Sequence, residues 1–141
     1  MYNIIYYSKA TQLMLEGDLE LLLEESRAWN AAHGITGLLA YIEGTSDVRE
    51  EARFMQVLEG TEEEVKRIFI KIRQDSRHHH ITVLKNEPME YRSFKDWTMK
   101  FETVDLSTNL HFKAFFLLDD QLLKSEEFKR SDTALNLLKS F

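Results

Sequence analysis

The segment Arg53–Gly60 reads RFMQVLEG, and the interpretation of the whole chain turns on it. Gln56 lies in its middle, among apolar residues that are typical of a strand buried on both faces. These neighbours are Phe54, Met55, Val57 and Leu58. An unpaired buried polar group costs about 1–3 kcal/mol. Gln56 therefore needs a polar partner, and we look for it in the elements that flank this strand.

Four more strands and two helices are predicted around this segment. β-Branched and aromatic composition indicates the strands. They are Asn3–Tyr7, Gly34–Ile42, His80–Leu84 and Asp96–Val104, with Pro88 in the last connection. Asp18 is expected to cap the first helix, and Gly34 to end it. Thr61 and Glu64 form a capping box for the second helix. One face of that helix carries Val65, Ile68, Phe69 and Ile72.

The predicted element order is βαββαββ, which indicates an α+β fold. Gly34–Ile42 and the quoted strand are expected to pair antiparallel. This order is that of a ferredoxin-like, antiparallel-rich sheet with two helices on one face. Short C-terminal helices are expected to cover the other face. We divide the chain into a first domain, residues 1–104, and a C-terminal helical extension, residues 105–141.

Composition excludes several classes of function. The net charge is −6, from 24 acidic and 18 basic residues, and no basic stripe indicates nucleic-acid binding. Cysteine is absent, so disulfides and thiolate chemistry are excluded. No apolar run is long enough to span a membrane, and the N-terminus lacks the pattern of a signal peptide. We therefore expect a cytoplasmic protein without membrane partners.

Strand alternation and helix spacing bring a second amide near Gln56. Ile4, Tyr6 and Ser8 share one strand face, and Gln56 shares a face with Phe54 and Leu58. Asn30 follows Ser26 by four residues and lies on the inward stripe of the first helix. Two interpretations stay open. These groups form an internal polar network, or they surround a flat heteroaromatic ligand with donors and acceptors.

Several segments together resemble the BLUF domain, a flavin-binding blue-light sensor. They are IIYYS at Ile4–Ser8, SRAWNAAHGITGLL at Ser26–Leu39, FMQVLEG at Phe54–Gly60, QDSRH at Gln74–His78 and WTM at Trp97–Met99. The resemblance spans about the first two thirds of the chain, in order and with family-like spacing. The family's Y-x-S pattern selects Tyr6 over Tyr7, in agreement with the alternation.

The resemblance implies a flavin held noncovalently between the two helices. The flavin is expected to be FAD, with FMN and riboflavin as alternatives. Gln56 corresponds to the family's light-switch glutamine, and Asn30 to its flavin-ring asparagine. The residues expected at the cofactor are Tyr6, Ser8, Ser26, Asn30, Gln56, Lys71, Asp75, Arg77 and His78. The variable signalling pair of the last strand corresponds to Trp97 and Met99.

The resemblance also implies a photoswitch rather than an enzyme. In the cycle that the resemblance implies, light drives electron and proton transfer from Tyr6 to the flavin. The oxidised Tyr6 and the reduced flavin then recombine after the Gln56 amide has rotated or tautomerised. No substrate is consumed. The signal is expected to leave through Trp97 or Met99 toward an unidentified partner protein or into self-association. The alternative is a flavin-free, ferredoxin-like interaction module.

Some features depart from the family or have no assigned role. The charged segment Glu43–Arg53 is longer than the usual hairpin connection. Lys71 stands where relatives often carry arginine, and Lys71 and Asp75 are expected either to flank the ring as an i,i+4 pair or to form an exposed helix pair. The run His78–His80 lacks metal-ligand spacing, so no metal is expected. Four C-terminal phenylalanines are interpreted mainly as core: Phe112, Phe115, Phe116 and Phe128.

Overall fold

A computed structural model describes residues 1–46, 49–105, 107–108 and 133–140. The strands are β1 (Tyr2–Ala10), β2 (Thr36–Ser46), β3 (Arg49–Gly60), β4 (His78–Pro88) and β5 (Lys100–Asp105). The helices are α1 (Glu16–His33), α2 (Glu62–Arg73) and α3 (Thr133–Lys139). The four C-terminal phenylalanines lie outside the described residues.

The strands form a sheet in the order β4-β1-β3-β2-β5. β1 pairs antiparallel with both β3 and β4, and β2 pairs antiparallel with β3. β5 runs parallel to β2 at the edge of the sheet. This arrangement confirms the predicted ferredoxin-like α+β fold and the antiparallel pairing around the RFMQVLEG segment.

Local sequence explains how the two long helices begin and end. α1 begins at Glu16, so Asp18 is its third residue, and Asp18 Oδ2 accepts from the Leu15 N–H at 3.4 Å. Asp18 is therefore not the N-cap, because its carboxylate bonds back to the residue before the helix. Gly34 ends α1 in the left-handed region at φ 67°, as predicted. Thr61 caps α2, with Oγ1 accepting from Glu64 N–H at 3.3 Å.

The sheet separates two cores. The helix-covered face packs against α1 and α2, and its core includes Tyr6, Leu23, Phe54, Ile68 and Phe69. The opposite face buries Ile5, Tyr7, Met55 and Val57, and Leu138 of α3 packs on it. Strand alternation thus sends neighbouring residues into different cores. The described part of the C-terminal extension covers the face where helices were expected.

The charged segment Glu43–Arg53 is largely not a loop. β2 and β3 continue to pair through it, from Glu43 opposite Ala52 to Ser46 opposite Arg49. Arg53 Nη2 lies 2.7 Å from Glu51 Oε2. Backbone pairing needs no apolar side chains, which is why composition alone missed this extension of the hairpin.

The last strand is shorter than predicted, because β5 begins only at Lys100. Trp97 and Met99 lie before it and do not share a face, since Trp97 is 49% exposed and Met99 only 1%. The expectation that these two side chains share one strand face is therefore wrong, and their signalling role stays a prediction. Pro88 is the last residue of the edge strand β4 rather than part of a connection. Within the described residues, no helix has the length and hydrophobicity to cross a membrane.

Candidate functional site

A cavity of about 150 Å³ lies between the helix-covered face of the sheet and helices α1 and α2. Its apolar walls include Leu39, Phe54, Leu58, Ile68 and Ile72. All but one of the predicted cofactor-binding residues line it: Tyr6, Ser26, Asn30, Gln56, Lys71, Asp75, Arg77 and His78. Ser8 is not among the lining residues, and instead bonds to His78, with 2.8 Å between Oγ and Nδ1.

Two residues that line the cavity, Tyr6 and Gln56, begin a chain of three side chains that ends at Met99, which is not among the lining residues. Tyr6 and Gln56 are directly opposite each other in the β1–β3 ladder, which brings their side chains together. The Tyr6 hydroxyl donates to Gln56 Oε1. Gln56 Nε2 donates to Met99 Sδ at 3.4 Å. Met99, and not the exposed Trp97, is therefore the residue of the WTM motif that contacts Gln56.

The Tyr6 phenol stays protonated. Burial raises its pKa well above the usual range, and the nearby Asp75 carboxylate adds to this effect. A neutral phenol whose proton points at an amide oxygen can lose an electron only at a high cost unless that proton moves as well. The environment of Tyr6 therefore favours coupled movement of one electron and one proton.

Asn30 contacts the segment that precedes β5. Its side chain is 2% exposed, and Nδ2 donates to the Thr98 carbonyl at 2.7 Å. Asn30 and Gln56 thus each have a protein partner, as the internal-network interpretation expected. A carboxamide has two N–H groups and an acceptor oxygen, so these bonds leave part of each amide for a ligand in the cavity.

Charged groups lie toward the outer part of the cavity. Arg77 Nε bonds to Asp75 Oδ1 at 2.9 Å and to Oδ2 at 3.0 Å. This bond to Arg77 holds the pKa of Asp75 below its usual range. Lys71 does not pair with Asp75, because the Arg77 guanidinium already bonds to both oxygens of the Asp75 carboxylate. Lys71 Nζ instead lies 4.0 Å from the centroid of the Trp29 ring. The expected i,i+4 pair is therefore wrong.

Sequence reasoning missed Trp29 as a cavity residue. Its ring stacks on His33 at 4.0 Å between centroids. Among the described residues, its buried Nε1 has no hydrogen-bond partner. The signal was present, since Trp29 directly precedes Asn30 in the SRAWN motif.

The histidine run has separate roles. His78 is buried, and its Nε2 lies 2.6 Å from the Ile72 carbonyl oxygen, which ties β4 to α2. His79 and His80 are exposed and contact each other. No group of three or more metal-ligating side chains comes together in the part of the chain that the structure describes.

The lining residues fit a flavin. A flat ring needs apolar walls and polar groups at its edge, and the buried amides of Asn30 and Gln56 supply that edge. The cavity of about 150 Å³ is below the roughly 300–1,000 Å³ of common ligand pockets. Binding of the flavin ring therefore requires some of the lining side chains to move. Lys71 is exposed and Trp29 only half-buried, so these two can move without opening the core.

Comparison with known proteins gives consistent matches. The model of the BLUF family, "Sensors of blue-light using FAD", matches residues 1–100. Photoactivated adenylate cyclase subunit beta of Euglena gracilis is 31% identical over 105 residues, which is 74% of this chain and 11% of that protein's length. The chain thus spans about a tenth of these curated relatives.

Solved structures agree. The BlsA ground state superimposes with a TM-score of 0.70 at 30% identity, covering 98% of this chain and 87% of that one. The BlrB dark-state structure gives 0.71 at 24% identity, covering 99% and 96%, and supports the fold alone. The matched family model describes blue-light sensors. This chain belongs to the BLUF family of flavin-binding blue-light sensors.

Proposed function

We propose that blue light acts on this protein through Tyr6 and Gln56, and that Met99 is the first group to detect the result. The supporting observation is the continuous chain from the Tyr6 hydroxyl to Gln56 Oε1, and from Gln56 Nε2 to Met99 Sδ. One amide thus connects a redox-active phenol to a segment outside the sheet.

Tyr6 supplies an electron and a proton, and both return. Bound flavin supplies the absorption of blue light and a ring that accepts an electron. Tyr6 passes its hydroxyl proton along its bond to Gln56 Oε1, because this is the acceptor that the hydroxyl faces. Recovery of the electron and the proton by Tyr6 leaves no net oxidation, so the cycle consumes no substrate.

The changed orientation or tautomer of the Gln56 amide is what remains after the electron and the proton have returned to Tyr6. Its amide ends are similar in size but opposite in hydrogen-bonding character, so rotation or tautomerisation changes the network without repacking the core. Met99 Sδ is a weak acceptor and has no proton to donate. When an oxygen replaces Nε2 beside it, the bond to Met99 is lost. Met99 therefore senses which end of the amide it faces.

The energy of this exchange limits the mechanism. One hydrogen bond contributes about 0.5–1.5 kcal/mol net, whereas inverting a 1:99 population needs about 5.5 kcal/mol. The signalling state is therefore a metastable product of the absorbed photon. The segment containing Met99 must be balanced closely enough for a small change to move it.

The test compares Gln56→Leu with Gln12→Leu, which changes an exposed glutamine outside the cavity. We expect both variants to bind flavin, and only Gln12→Leu to show a reversible red shift of flavin absorption under blue light. A full red shift in Gln56→Leu would contradict the proposal. Protein that is colourless and cannot be reconstituted would instead favour the flavin-free interaction module.

The proposal also covers which flavin is bound and where the signal goes. FAD is proposed over FMN and riboflavin because the family description names it, and chromatography of flavin released by denaturation distinguishes the three. The output passes to a partner protein or into self-association in the cytoplasm. The division into residues 1–104 and 105–141 stays a prediction.

A further inference from the structure

Three consecutive carbonyl groups before β5 are each held by a different donor. Trp97 O accepts from the Gly37 backbone N–H at 3.1 Å, and Thr98 O from Asn30 Nδ2 at 2.7 Å. Met99 O accepts from Arg27 Nε at 3.1 Å. We call Trp97–Met99 the anchored segment. Two of its three donors come from α1, so this segment is attached to the helix as much as to the sheet.

The three donors differ in how easily they can be withdrawn. Gly37 is paired with Leu58 inside the β2–β3 ladder, so its backbone cannot shift without disturbing the sheet. Asn30 is buried. Arg27 is exposed and lies one helical turn before Asn30, outside the cavity. Its guanidinium can release the Met99 carbonyl without opening the core.

Met99 is consequently held at two points. Gln56 Nε2 bonds to its side chain, and Arg27 Nε bonds to its carbonyl oxygen. Loss of the first bond on illumination leaves the bond from Arg27 Nε to the Met99 carbonyl oxygen in place. We propose that Arg27 is a positioning residue that releases Met99 in the signalling state and recaptures it during dark recovery. This inference rests on the proposed function of Gln56 and Met99.

Removal of the Arg27 donor should weaken the dark arrangement and leave the signalling state unaffected. Hydrogen bonds to charged groups are stronger than neutral ones, and the energy of one partly exposed bond corresponds to about a tenfold change in an equilibrium or a rate. Dark recovery should therefore become about tenfold slower. The spectral shift should keep its amplitude, because Arg27 does not line the cavity.

The variants are Arg27→Met, which keeps the aliphatic stem without donors, and Arg27→Lys, which restores one cationic donor. Arg67→Met is the matched control, because Arg67 is an exposed helix arginine that pairs with Glu63 and Glu64. It removes the same charge without touching the anchored segment.

The first measurement uses flavin-free protein and the exchange rate of the Gly37 amide proton, which reports its bond to Trp97 O. We expect exchange about tenfold faster in Arg27→Met, partial rescue in Arg27→Lys and no change in Arg67→Met. Unchanged exchange in Arg27→Met would overturn the anchoring role, whatever the photochemistry shows.

The second measurement follows dark recovery of the red shift in flavin-loaded protein. Slow recovery in Arg27→Met, rescued by Arg27→Lys, supports the inference. Recovery within about twofold of the parent, despite faster Gly37 exchange, would show that the segment is not released in the photocycle. A parent protein without any red shift would refute the proposed function of Gln56, and the Gly37 measurement would still judge the anchor separately.

Discussion

The two faces of the sheet are equally buried but chemically different. On β3, Gln56 is 4% exposed on the helix-covered face, while Met55 and Val57 on either side are 0% exposed on the opposite face. β1 shows the same division between Tyr6 and Tyr7. Because the strands are shared, backbone preference cannot explain the difference. At these β3 positions the opposite face carries apolar side chains, whereas the helix-covered face carries a polar group that lines the cavity.

A buried carboxylate on the opposite face, which also buries Asn3 and Arg53, sharpens this contrast. Glu59 is 0% exposed, and its carboxylate accepts from the backbone N–H groups of Ser93 and Phe94 at 2.7 and 2.8 Å. The Thr36 hydroxyl donates to it at 3.2 Å. Glu59 is thus used within the protein to hold a loop, whereas Gln56 and Asn30 keep bonding capacity for the cavity.

The largest expected effect on stability comes from the opposite face. Met55→Ala should lower the free energy of unfolding by about 2–5 kcal/mol, because it leaves a cavity in a fully buried core. Urea unfolding of flavin-free protein measures this. Ile70→Ala, at a residue 61% exposed on α2, is the control and should change little. Similar stability in both variants would mean that the opposite face does not dominate the fold.

A smaller effect on the free energy of unfolding is expected when the hydrogen-bonded pair Tyr6 and Gln56 of the helix-covered face is removed. Gln56→Leu alone leaves the buried Tyr6 hydroxyl without its acceptor and should cost about 1–3 kcal/mol. The double variant Tyr6→Phe/Gln56→Leu removes both partners and should lie within about 1 kcal/mol of the parent. The same urea unfolding compares them. A double variant as unstable as Met55→Ala would make the pair structural and would remove the contrast between the faces.

The smallest effect is the response to pH. Burial raises the pKa of Tyr6, so the folded protein keeps this proton when an unfolded chain loses it near pH 10. Above about pH 10 the unfolded state binds fewer protons than the folded state, and the stability contributed by Tyr6 declines as the pH rises. We expect a constant red shift between about pH 6 and pH 9.

Burial also raises the pKa of Tyr41, to about 12, so both tyrosines contribute to the alkaline decline in stability. Comparison of Tyr6→Phe with the parent separates the contribution of Tyr6. The alkaline decline in unfolding free energy should be shallower in Tyr6→Phe than in the parent. An identical decline in both proteins would show that the Tyr6 phenol is not protected from ionisation in the folded state.

Sequence predicted those features that depend on local periodicity. Alternation along β1 and β3 placed Tyr6 and Gln56 on one face, and Gly34 ended α1 because only its left-handed backbone suits that position. The Y-x-S pattern of the family resemblance selected the same tyrosine, which lines the cavity. These features are set by a few neighbouring residues.

Features set by distant partners could not be read locally. The start of β5 and the separation of Trp97 from Met99 depend on donors from α1 and β2. Asp75 bonds to Arg77 rather than Lys71, because a carboxylate matches the two-pronged guanidinium better than a single ammonium. The hairpin beyond Ile42 follows backbone pairing that composition does not reveal.

The chain from Phe94 to Met99 joins the two cores by a short route. Phe94 packs on the opposite face and Met99 on the helix-covered face, and Glu59 holds the backbone of Phe94. The five residue steps between them reach at most about 16–18 Å when fully extended. The short segment that begins at Phe94 therefore limits how far Met99 can move. Any movement of Met99 is confined to this edge of the sheet.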